Sequence, residues 1–396
     1  YYIGDVIKEE KKLIARTPEK FRETGIEVRI DSRVEAIDPQ AGRVRLAGGE
    51  ALPYDTLVLA TGMKARLPGI PGEDREGVFT LKTFADAVGI KAWLRDVPCR
   101  KAIIVGGGFI GMEMSEALRG LGIETQIMSR SPLPVTRWDP ELGKVILAEL
   151  GRHRVGFKTG IELRAVEEGK THRLRLVTGQ GEEEADMILM AVGVEPDTEL
   201  AGGMGLPLGS SGAVRVNFSQ RTQREEVYAV GDCAESFHRV SRRWVNIPLG
   251  DIANKQGRVA GRNIGGGKIT FPGIVGSQSF KVFDLEVAAT GLDEREAAQA
   301  GFHPASALIW GGSAAGSMPE NRKLGLKLIA DGPTGKLLGA QAVGESGAVS
   351  RINTLACALW AELDLDDVGW LDLAYAPPFG GSWDPIHVAA QVLKKK

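Results

Sequence analysis

A glycine-rich turn carries the clearest chemistry in this sequence. Lys101–Leu118 reads as a short apolar strand, a glycine turn and an amphipathic helix. Within it, Gly106, Gly108 and Gly111 have the G-x-G-x-x-G spacing. The first glycine of such a turn allows a sharp change of direction, the second admits a pyrophosphate, and the third lets helix and strand pack closely. Because the N–H groups and the dipole at a helix N-terminus favour anions, the turn predicts a dinucleotide-binding site.

The residues after the next apolar run bear on which dinucleotide binds. NAD sites place Asp or Glu about 20 residues beyond the glycines to hold the ribose 2′-hydroxyl, whereas NADP sites use arginine. Thr125–Ser129 reads as the second strand, and Arg130 follows Ser129. A guanidinium makes charge-assisted hydrogen bonds to a 2′-phosphate. The sequence therefore favours NADPH over NADH, although Arg130 also fits a surface ion pair and NADH stays open.

An apolar strand that ends in glycine occurs twice. Leu57–Gly62 and Ile188–Gly193 have this pattern, and a proline-containing loop follows each. Both come after segments of alternating polarity, Val28–Leu46 and Gly160–Gly181, that read as short antiparallel strands. The repetition predicts two nucleotide-binding domains in tandem. The alternative is coincidence between two common strand endings.

The first copy shows no glycine loop among the residues given. Counting back from Gly62 by the number of residues that separate Gly106 from Gly193 gives a position before Tyr1. We therefore expect the opening strand, glycine loop and helix of the first copy to lie upstream of Tyr1.

A further strand, Thr222–Asp232, ends in Gly231 and Asp232. A carboxylate at the end of a strand is well placed to accept hydrogen bonds from ribose or ribityl hydroxyls. Asn246–Arg262 then reads as a loop that leads into a helix. From about Phe271 the pattern becomes that of an α+β domain, with strands at Ser279–Ala288, Lys323–Ile329 and Leu337–Val343 and a helix at Val349–Glu362.

Length and composition exclude several classes of protein. A chain of 396 residues predicts two or three domains. A net charge of −2 without a basic stripe argues against nucleic-acid binding. No apolar run reaches the roughly 20 residues of a membrane span, and no signal peptide is visible, so a cytoplasmic protein is predicted. Three separated cysteines, Cys99, Cys233 and Cys357, exclude a disulfide framework or zinc ribbon and are expected to be small buried side chains.

Together these segments resemble the flavin-dependent pyridine nucleotide–disulfide oxidoreductases, in the branch that includes coenzyme A-disulfide reductases, NADH oxidases, NADH peroxidases and persulfide reductases. The resemblance covers essentially the whole chain. It depends on the combination of the glycine loop with the segments Ala60–Gly62, Thr222–Asp232, Pro248–Gln256 and Lys281–Gly291.

The resemblance implies an α/β fold with two tandem Rossmann-like nucleotide-binding domains, the first truncated, and a C-terminal α+β dimerisation domain. The implied FAD domain is incomplete and discontinuous, over residues 1–98 and 218–270. The NAD(P)H domain covers 99–217, and the dimerisation domain of a homodimer covers 271–396.

The resemblance also implies the residues of the two cofactor sites, and no metal site. Glu113 and Phe109 would lie by the nicotinamide, Phe109 as a ring that moves aside. The alternatives are a first-turn helix charge for Glu113 and core packing for Phe109. The implied FAD residues are Ala60, Thr61, Gly62, Gly231, Asp232, Pro248 and Leu249. The implied NAD(P)H residues are Gly106, Gly108, Phe109, Ile110, Gly111, Glu113, Ser129, Arg130 and Gly193.

Tyr375, in Leu373–Phe379, is implied to reach the partner subunit's active site and to donate a proton or hydrogen bond to sulfur. The alternative is a structural tyrosine before a Pro-Pro turn. The redox cysteine of the branch is expected upstream of Tyr1, because Tyr1–Gly4 resembles the end of its motif. None of the three cysteines present matches that position. Trp310–Pro319 departs from the tyrosine-rich turn of coenzyme A-disulfide reductases, which leaves a different or roomier substrate cleft open.

The function implied is an FAD-dependent NADPH or NADH oxidoreductase. It would pass hydride through flavin to a cysteine-based centre and reduce a small disulfide or persulfide. Reduction of oxygen or peroxide is the nearest alternative. A truncated nucleotide-binding module without catalysis is the alternative of another class.

Overall fold

The computed structural model describes residues 1–395, and the chain divides into two compact units. Unit 1 comprises Tyr1–Ala65, Val194–His238 and Arg243–Ile274. Unit 2 comprises Arg66–Gly193, Arg239–Arg242 and the chain from Val275 onward. None of the helices within 1–395 combines the length and the apolar character needed to span a membrane. The domain boundaries inferred from the sequence remain a prediction.

Most strands are short, and the longer ones occur in the C-terminal part of the chain. They are β1 (Val34–Asp38), β2 (Arg43–Leu46), β3 (Ala51–Pro53), β4 (Leu57–Leu59), β5 (Met63–Ala65), β6 (Val78–Phe79), β7 (Lys101–Val105), β8 (Glu124–Met128), β9 (Gly156–Lys158), β10 (Leu163–Glu168), β11 (Leu174–Thr178), β12 (Gly181–Ala185), β13 (Met187–Met190), β14 (Val194–Pro196), β15 (Val227–Ala229), β16 (Ser236–His238), β17 (Arg243–Val245), β18 (Gln278–Val282), β19 (Leu285–Gly291), β20 (Pro304–Gly312), β21 (Lys323–Asp331) and β22 (Leu337–Gly344).

Ten α-helices occur in the described residues, with short 3-10 turns at Glu10–Leu13 and Gly231–Cys233. The α-helices are α1 (Pro18–Arg22), α2 (Phe84–Asp96), α3 (Phe109–Gly120), α4 (Pro140–Arg152), α5 (Glu199–Gly203), α6 (Gly250–Ile264), α7 (Glu294–Gln299), α8 (Ala348–Trp360), α9 (Leu365–Gly369) and α10 (Pro385–Lys394).

Unit 2 contains a parallel sheet. Its strand order is β6-β13-β7-β8-β9. Ile103, Ile104 and Ile127 on its central strands are fully buried. Continuous apolar strands of this kind are expected in a parallel sheet that is covered on both faces. Here α3 contacts β7 and β8, and Ile103 clusters with Val166 and Leu176 of the β10-β11-β12 sheet. The carboxyl ends of β7, β8 and β13 therefore open along one edge, where α/β sheets bind ligands.

The repetition seen in the sequence corresponds to repeated structure. Unit 1 holds an antiparallel sheet of order β1-β2-β3, and unit 2 holds one of order β10-β11-β12. Each is followed by a strand of a parallel pairing: β4 pairs with β15, and β13 pairs with β7. Both strands lead directly into the glycine-containing turns that the sequence singled out.

The second sheet of unit 2 is antiparallel, with order β18-β19-β22-β21-β20, and α8 packs against it. The sequence predicted one strand over Ser279–Ala288, but this run is a hairpin of β18 and β19. Phe283 turns the chain in the left-handed region (φ 50°). Because the apolar alternation continues through the turn and no glycine marks it, the pattern resembles a single strand. The sequence pattern also gave no prediction of the strand β20.

Candidate functional site

The glycine turn in unit 2 shows why each glycine is needed. Gly106 has φ 118°, and a Cβ added there would lie 2.2 Å from the carbonyl oxygen of Ala191. A Cβ on Gly111 would lie 2.2 Å from the carbonyl oxygen of Gly106, so α3 packs directly on the end of β7. A Cβ on Gly108 would have no neighbour within 4 Å. That open face at the helix N-terminus leaves room for a pyrophosphate.

The turn borders a cleft of about 570 Å³ at the carboxyl edge of the parallel sheet. Five of the residues inferred for NAD(P)H line it: Gly106, Gly108, Ser129, Arg130 and Gly193. The sequence did not assign the other lining residues, which are Pro68, Ile70, Val105, Gly107, Met128, Ser131, Ile161, Glu162, Leu163, Ala191 and Val192. The proline-containing loop after Gly62 was a visible clue to Pro68, whereas nothing in the local sequence marks Glu162.

Ser129 and Arg130 stand where a ribose-binding residue is expected, at the end of β8. Ser129 is buried, its N–H donates to the carbonyl oxygen of Lys158 (2.8 Å), and its Oγ accepts from Ser131 N–H (3.1 Å). Arg130 is exposed. The serine thus holds the backbone in place, and the guanidinium is the cation that lines the cleft.

The segment after β8 stabilises the glycine turn through a hydrogen bond to its backbone. Val135 N–H donates to the carbonyl oxygen of Gly107 (2.8 Å), and Val135 itself lies in the left-handed region (φ 46°). This conformation is costly for a β-branched residue and persists only where the surroundings fix it. Trp138 follows, and its Nε1 donates to the carbonyl oxygen of Ala288 (3.2 Å). The glycine turn is therefore linked to β19 of the antiparallel sheet within unit 2.

The α3 side chains inferred to lie near the nicotinamide are not among the residues that line the cleft. The Phe109 ring packs edge-on against Trp138 (5.6 Å between centroids) and Phe280 (5.0 Å). Burial raises the pKa of the half-buried Glu113 carboxyl, and Glu116 raises it further. Ile110 is exposed. The packing alternative for Phe109 thus has direct contacts in its favour, while the nicotinamide role remains a prediction.

The second turn lies in unit 1, where the parallel strands β4 and β15 end side by side. Val230 N–H donates to the carbonyl oxygen of Leu59 (3.0 Å). The next residue, Gly231, has φ 76°, and Asp232 follows it as a half-buried carboxylate. Asn246 Nδ2 donates to the carbonyl oxygen of Asp232 (2.9 Å). This brings the loop that contains Pro248 and Leu249 towards the strand ends, with Leu249 as the N-cap residue of α6.

The loop after β4 forms the other side of this turn. Thr61 Oγ1 donates to the carbonyl oxygen of Asp197 (2.5 Å), and Asp197 N–H donates to the carbonyl oxygen of Gly62 (2.9 Å). Gly62 has φ 73°, and an added Cβ would meet nothing within 4 Å. The open face of Gly62 beside the strand-end side chain of Asp232 fits the ribityl and phosphate groups of a flavin nucleotide. The residues present therefore suit the FAD inferred from the sequence.

Gln256 is a functional candidate that the sequence analysis missed. It is fully buried on α6, where its Oε1 accepts from Gly231 N–H (2.7 Å). Its Nε2 donates to the carbonyl oxygen of Glu235 (3.1 Å) and to Ser236 Oγ (2.9 Å). The clue was present, because Gln256 shares the buried stripe of α6 with Ile252 and Val259.

The three cysteines have different surroundings. Cys233 is buried between the strand ends of unit 1, and its Sγ donates to the carbonyl oxygen of Val230 (3.3 Å). Burial, with a smaller contribution from Asp186, raises the pKa of the Cys99 thiol to about 12. Cys99 is half-buried and Cys357 is exposed on α8, so the expectation that all three are buried is correct for Cys233 only. Cys357 lies on the outer face of α8, whereas Ile352 and Leu355 face the core.

Tyr375 lies between α9 and α10, and it is 56% exposed. Trp370, Phe379 and Trp383 of the same segment are also exposed, and the Trp370 and Trp383 rings meet edge-on at 6.3 Å. Exposed apolar patches mark interaction sites, and the Trp370–Trp383 pair is of this kind. The structure thus presents the Tyr375 phenol on a segment of unit 2 that carries several exposed aromatic side chains.

Comparison with family models matches nearly the whole chain. The model described as pyridine nucleotide-disulphide oxidoreductase matches residues 4–257. The model for the dimerisation domain of the same family matches residues 277–385.

Characterised relatives resemble the chain over almost its full length. It is 38% identical to the NAD(P)H sulfur oxidoreductase (CoA-dependent) of Pyrococcus abyssi, over 99% of this chain and 88% of the relative. It is 36% identical to the NAD(P)H coenzyme A polysulfide/persulfide reductase of Pyrococcus horikoshii, with the same coverage. The solved structure of an NAD-dependent persulfide reductase from A. fulgidus superposes with a TM-score of 0.95 at 33% identity, covering 99% of this chain and 74% of that one.

Proposed function

The chain belongs to the pyridine nucleotide-disulphide oxidoreductase family and is a flavin-dependent oxidoreductase, and from that premise we propose that it reduces a low-molecular-weight persulfide or disulfide with NAD(P)H. For a persulfide the balance is NAD(P)H, one proton and RSSH giving NAD(P)⁺, RSH and H₂S. For a disulfide, NAD(P)H, one proton and RSSR give NAD(P)⁺ and two thiols.

The main support for this proposal is that one chain contains two strand-end turns of the kind that bind nucleotides. Its relatives are named for reactions of sulfur compounds. The names of the Pyrococcus relatives give NAD(P)H as donor and sulfur, polysulfide or persulfide as acceptor. The cleft at Gly106 supports the donor site. The turn at Gly231 supports the flavin site.

We assign the binding roles to this chain's own groups. The N-terminal N–H groups of α3 would hold the pyrophosphate of NAD(P)H, and Arg130 would hold a 2′-phosphate. Thr61, Gly62 and Asp232 would hold FAD. A flavin bound there supplies hydride acceptance from the nicotinamide and onward transfer of two electrons to sulfur.

We assign the proton donor of the acceptor step to the second subunit of a homodimer. The match of the dimerisation domain supports a homodimer. Tyr375, which is exposed in that domain, would donate a proton or hydrogen bond to the departing thiolate in the partner's site. Light scattering at micromolar concentration tests the dimer, and a monomeric mass would contradict it.

The proposal is tested by steady-state assays of the natural, flavin-containing enzyme. Coenzyme A persulfide, polysulfide, coenzyme A disulfide, oxygen and peroxide are compared at equal enzyme concentration. We expect the highest kcat/KM for a sulfur acceptor. Turnover of oxygen or peroxide with no sulfur activity would make the oxidase alternative correct. Purified protein without a flavin absorption band would instead favour a non-catalytic module.

The cytoplasmic location inferred from the sequence is also a proposal. Fractionation of source cells should recover the enzyme in the cytoplasmic fraction.

A further inference from the structure

The segment that carries Tyr375 has no regular secondary structure, although it is held in a defined conformation. It runs from the end of α9 at Gly369 to the start of α10 at Pro385. Arg351, on the first turn of α8, lies beneath it and is only 5% exposed. A buried guanidinium is costly unless its donors are paired, so its partners show what it stabilises.

Arg351 makes a forked ion pair with Asp384. Its Nη2 and Nε lie 2.8 Å and 3.1 Å from Asp384 Oδ2. The other Asp384 oxygen, Oδ1, accepts from Ile386 N–H (2.9 Å) and so caps α10. One carboxylate therefore joins the buried cation to the start of the helix that follows Tyr375.

Arg351 also donates to carbonyl oxygens in separate loops. Nη2 donates to Ser313 (3.3 Å) and to Phe379 (3.5 Å), and Nη1 donates to Gly347 (3.2 Å). Phe379 belongs to the Tyr375 segment, whereas Ser313 belongs to the loop after β20. A single side chain thus fixes the distance between these two loops.

Two further contacts fix the same segment on either side of Tyr375. Ala315 N–H donates to the carbonyl oxygen of Pro377 (2.9 Å). The Nδ1 of His387 accepts from Asp384 N–H (3.2 Å), so its Nε2 carries the proton and donates to the carbonyl oxygen of Leu371 (2.8 Å). The backbone around Tyr375 is therefore anchored before and after the phenol.

We propose that Arg351 and Asp384 are positioning residues that hold Tyr375 in place for the acceptor step. The inference rests on the proposed function, because it presumes that Tyr375 acts on sulfur. The planar fork of arginine is required, since the three donors of a lysine ammonium cannot bind the carboxylate and the three carbonyl groups together. Loss of the fork lets the loop move, and a displacement of about 1 Å can cost roughly 100-fold in rate.

The test compares Tyr375→Phe, Arg351→Lys, Asp384→Asn and the double variant Arg351→Lys/Tyr375→Phe in the natural flavoenzyme. Asp384→Asn keeps the helix cap and removes the ionic partner, which favours retention of the fold. Arg242→Met is the matched control, because Arg242 is an exposed cation of unit 2 that pairs with Glu362. Each variant is assayed with coenzyme A persulfide and with a small quinone, whose reduction needs no proton donor on sulfur.

We expect Tyr375→Phe to lower kcat with persulfide by about 100-fold. Arg351→Lys and Asp384→Asn should each lower it by about tenfold or more with little change in the persulfide KM. Quinone turnover, flavin content and the control should stay unchanged. The double variant should be no slower than Tyr375→Phe within about twofold, because the two residues act through one phenol.

Three outcomes overturn the inference in distinguishable ways. If Tyr375→Phe slows persulfide reduction and the Arg351 and Asp384 variants do not, the positioning role is wrong and the proposed function stands. If those variants slow quinone and persulfide equally, their role is structural. If Tyr375→Phe itself has no effect, Tyr375 is not the proton donor and that part of the proposed function fails as well.

Discussion

Two strand-end turns, one in each unit, show two ways of fixing the backbone of a turn that is predicted to bind a nucleotide. In unit 2 the turn depends on main-chain contacts. Gly106 N–H donates to the carbonyl oxygen of Met128 (2.8 Å), and Val135 N–H donates to that of Gly107 (2.8 Å). The space around Gly106 is filled by backbone, so no side chain fits there.

In unit 1 the equivalent turn depends on side chains. Gly231 N–H is held by Gln256, the Asp232 carbonyl group by Asn246, and the Asp197 carbonyl group by Thr61. β4 pairs only with β15 within the described residues, and Val58 is 40% exposed. At these two turns, glycine substitutions should therefore be most damaging in unit 2, whereas loss of a single polar side chain should matter most in unit 1.

The largest expected effect is that of Gly106→Ala. The added Cβ meets the Ala191 carbonyl oxygen in a left-handed backbone, so the free energy of unfolding should fall by about 3 kcal/mol or more. Gly108→Ala is the matched control, since its Cβ has no neighbour. It should change stability by less than about 1 kcal/mol but raise the KM for NAD(P)H at least about tenfold. Urea unfolding and steady-state kinetics measure both; a Gly106→Ala protein of normal stability would contradict the main-chain account of unit 2.

A second test removes the side-chain support of unit 1. Gln256→Leu leaves Gly231 N–H and the Glu235 carbonyl group without their partner, at a cost of about 1–3 kcal/mol for each unsatisfied group. FAD should bind roughly tenfold to 100-fold more weakly, as measured by fluorescence titration of the apoprotein. Wild-type FAD affinity in Gln256→Leu would show that Gly231 does not need Gln256.

The third prediction concerns the choice of nicotinamide at the unit 2 cleft. Arg130→Ala should lower kcat/KM for NADPH about tenfold or more, since a hydrogen bond to a charged group contributes about 1.5–3 kcal/mol. The value for NADH should change little, which serves as the internal control. If wild-type enzyme already prefers NADH strongly, the assignment of Arg130 to a 2′-phosphate is wrong.

The smallest expected effects are opposite pH dependences in the two units. In unit 2, Glu184 accepts three backbone hydrogen bonds from Lys170, His172 and Thr171, which lower its pKa to about 2 from 4.5. Its contribution to stability is therefore present above pH 4.5 and lost as the pH falls towards 2. Glu184→Gln should accordingly be less stable than wild type at pH 7, with the difference vanishing in acid.

In unit 1, burial raises the pKa of Glu235 above 4.5, with Ser211 and Arg215 opposing the shift. The folded state then holds this proton more tightly than the unfolded state, so stability from Glu235 declines as the pH rises above 4.5. Glu235→Gln should be at least as stable as wild type at pH 7 and should lose that advantage in acid. Chemical unfolding across pH 3–8 measures both variants, and pH-independent differences would contradict both assignments.

The family and the α/β fold could be predicted from the sequence because their signals are local. The spacing of Gly106, Gly108 and Gly111 marks a strand, turn and helix within a few residues. The repeated strand endings similarly marked two sheets. The hairpin at Phe283 could not be predicted, since a left-handed phenylalanine within an apolar run carries no local signature.

The site could be predicted only where its residues are close in sequence. Ser129 and Arg130 follow the glycine loop at a characteristic distance, and both line the cleft. Arg351 could not be found this way, because its partners Ser313 and Asp384 are 38 and 33 residues away. Gln256 was hidden for the same reason, although its polar side chain on a buried stripe was visible. The ligand roles of all these residues remain predictions.

The aromatic contact between Phe109 and Trp138 has a spectroscopic consequence. Trp138 is buried and packs against the first residue of α3, the helix whose N-terminus faces the cleft. The indoles of Trp310, Trp360, Trp370 and Trp383 are exposed, so iodide in the solvent can quench their emission. Trp138 and Trp93, which are buried, are shielded from it. The shielded emission therefore includes an optical reporter beside the cleft that we predict to bind NAD(P)H, and it can be followed in real time without a label.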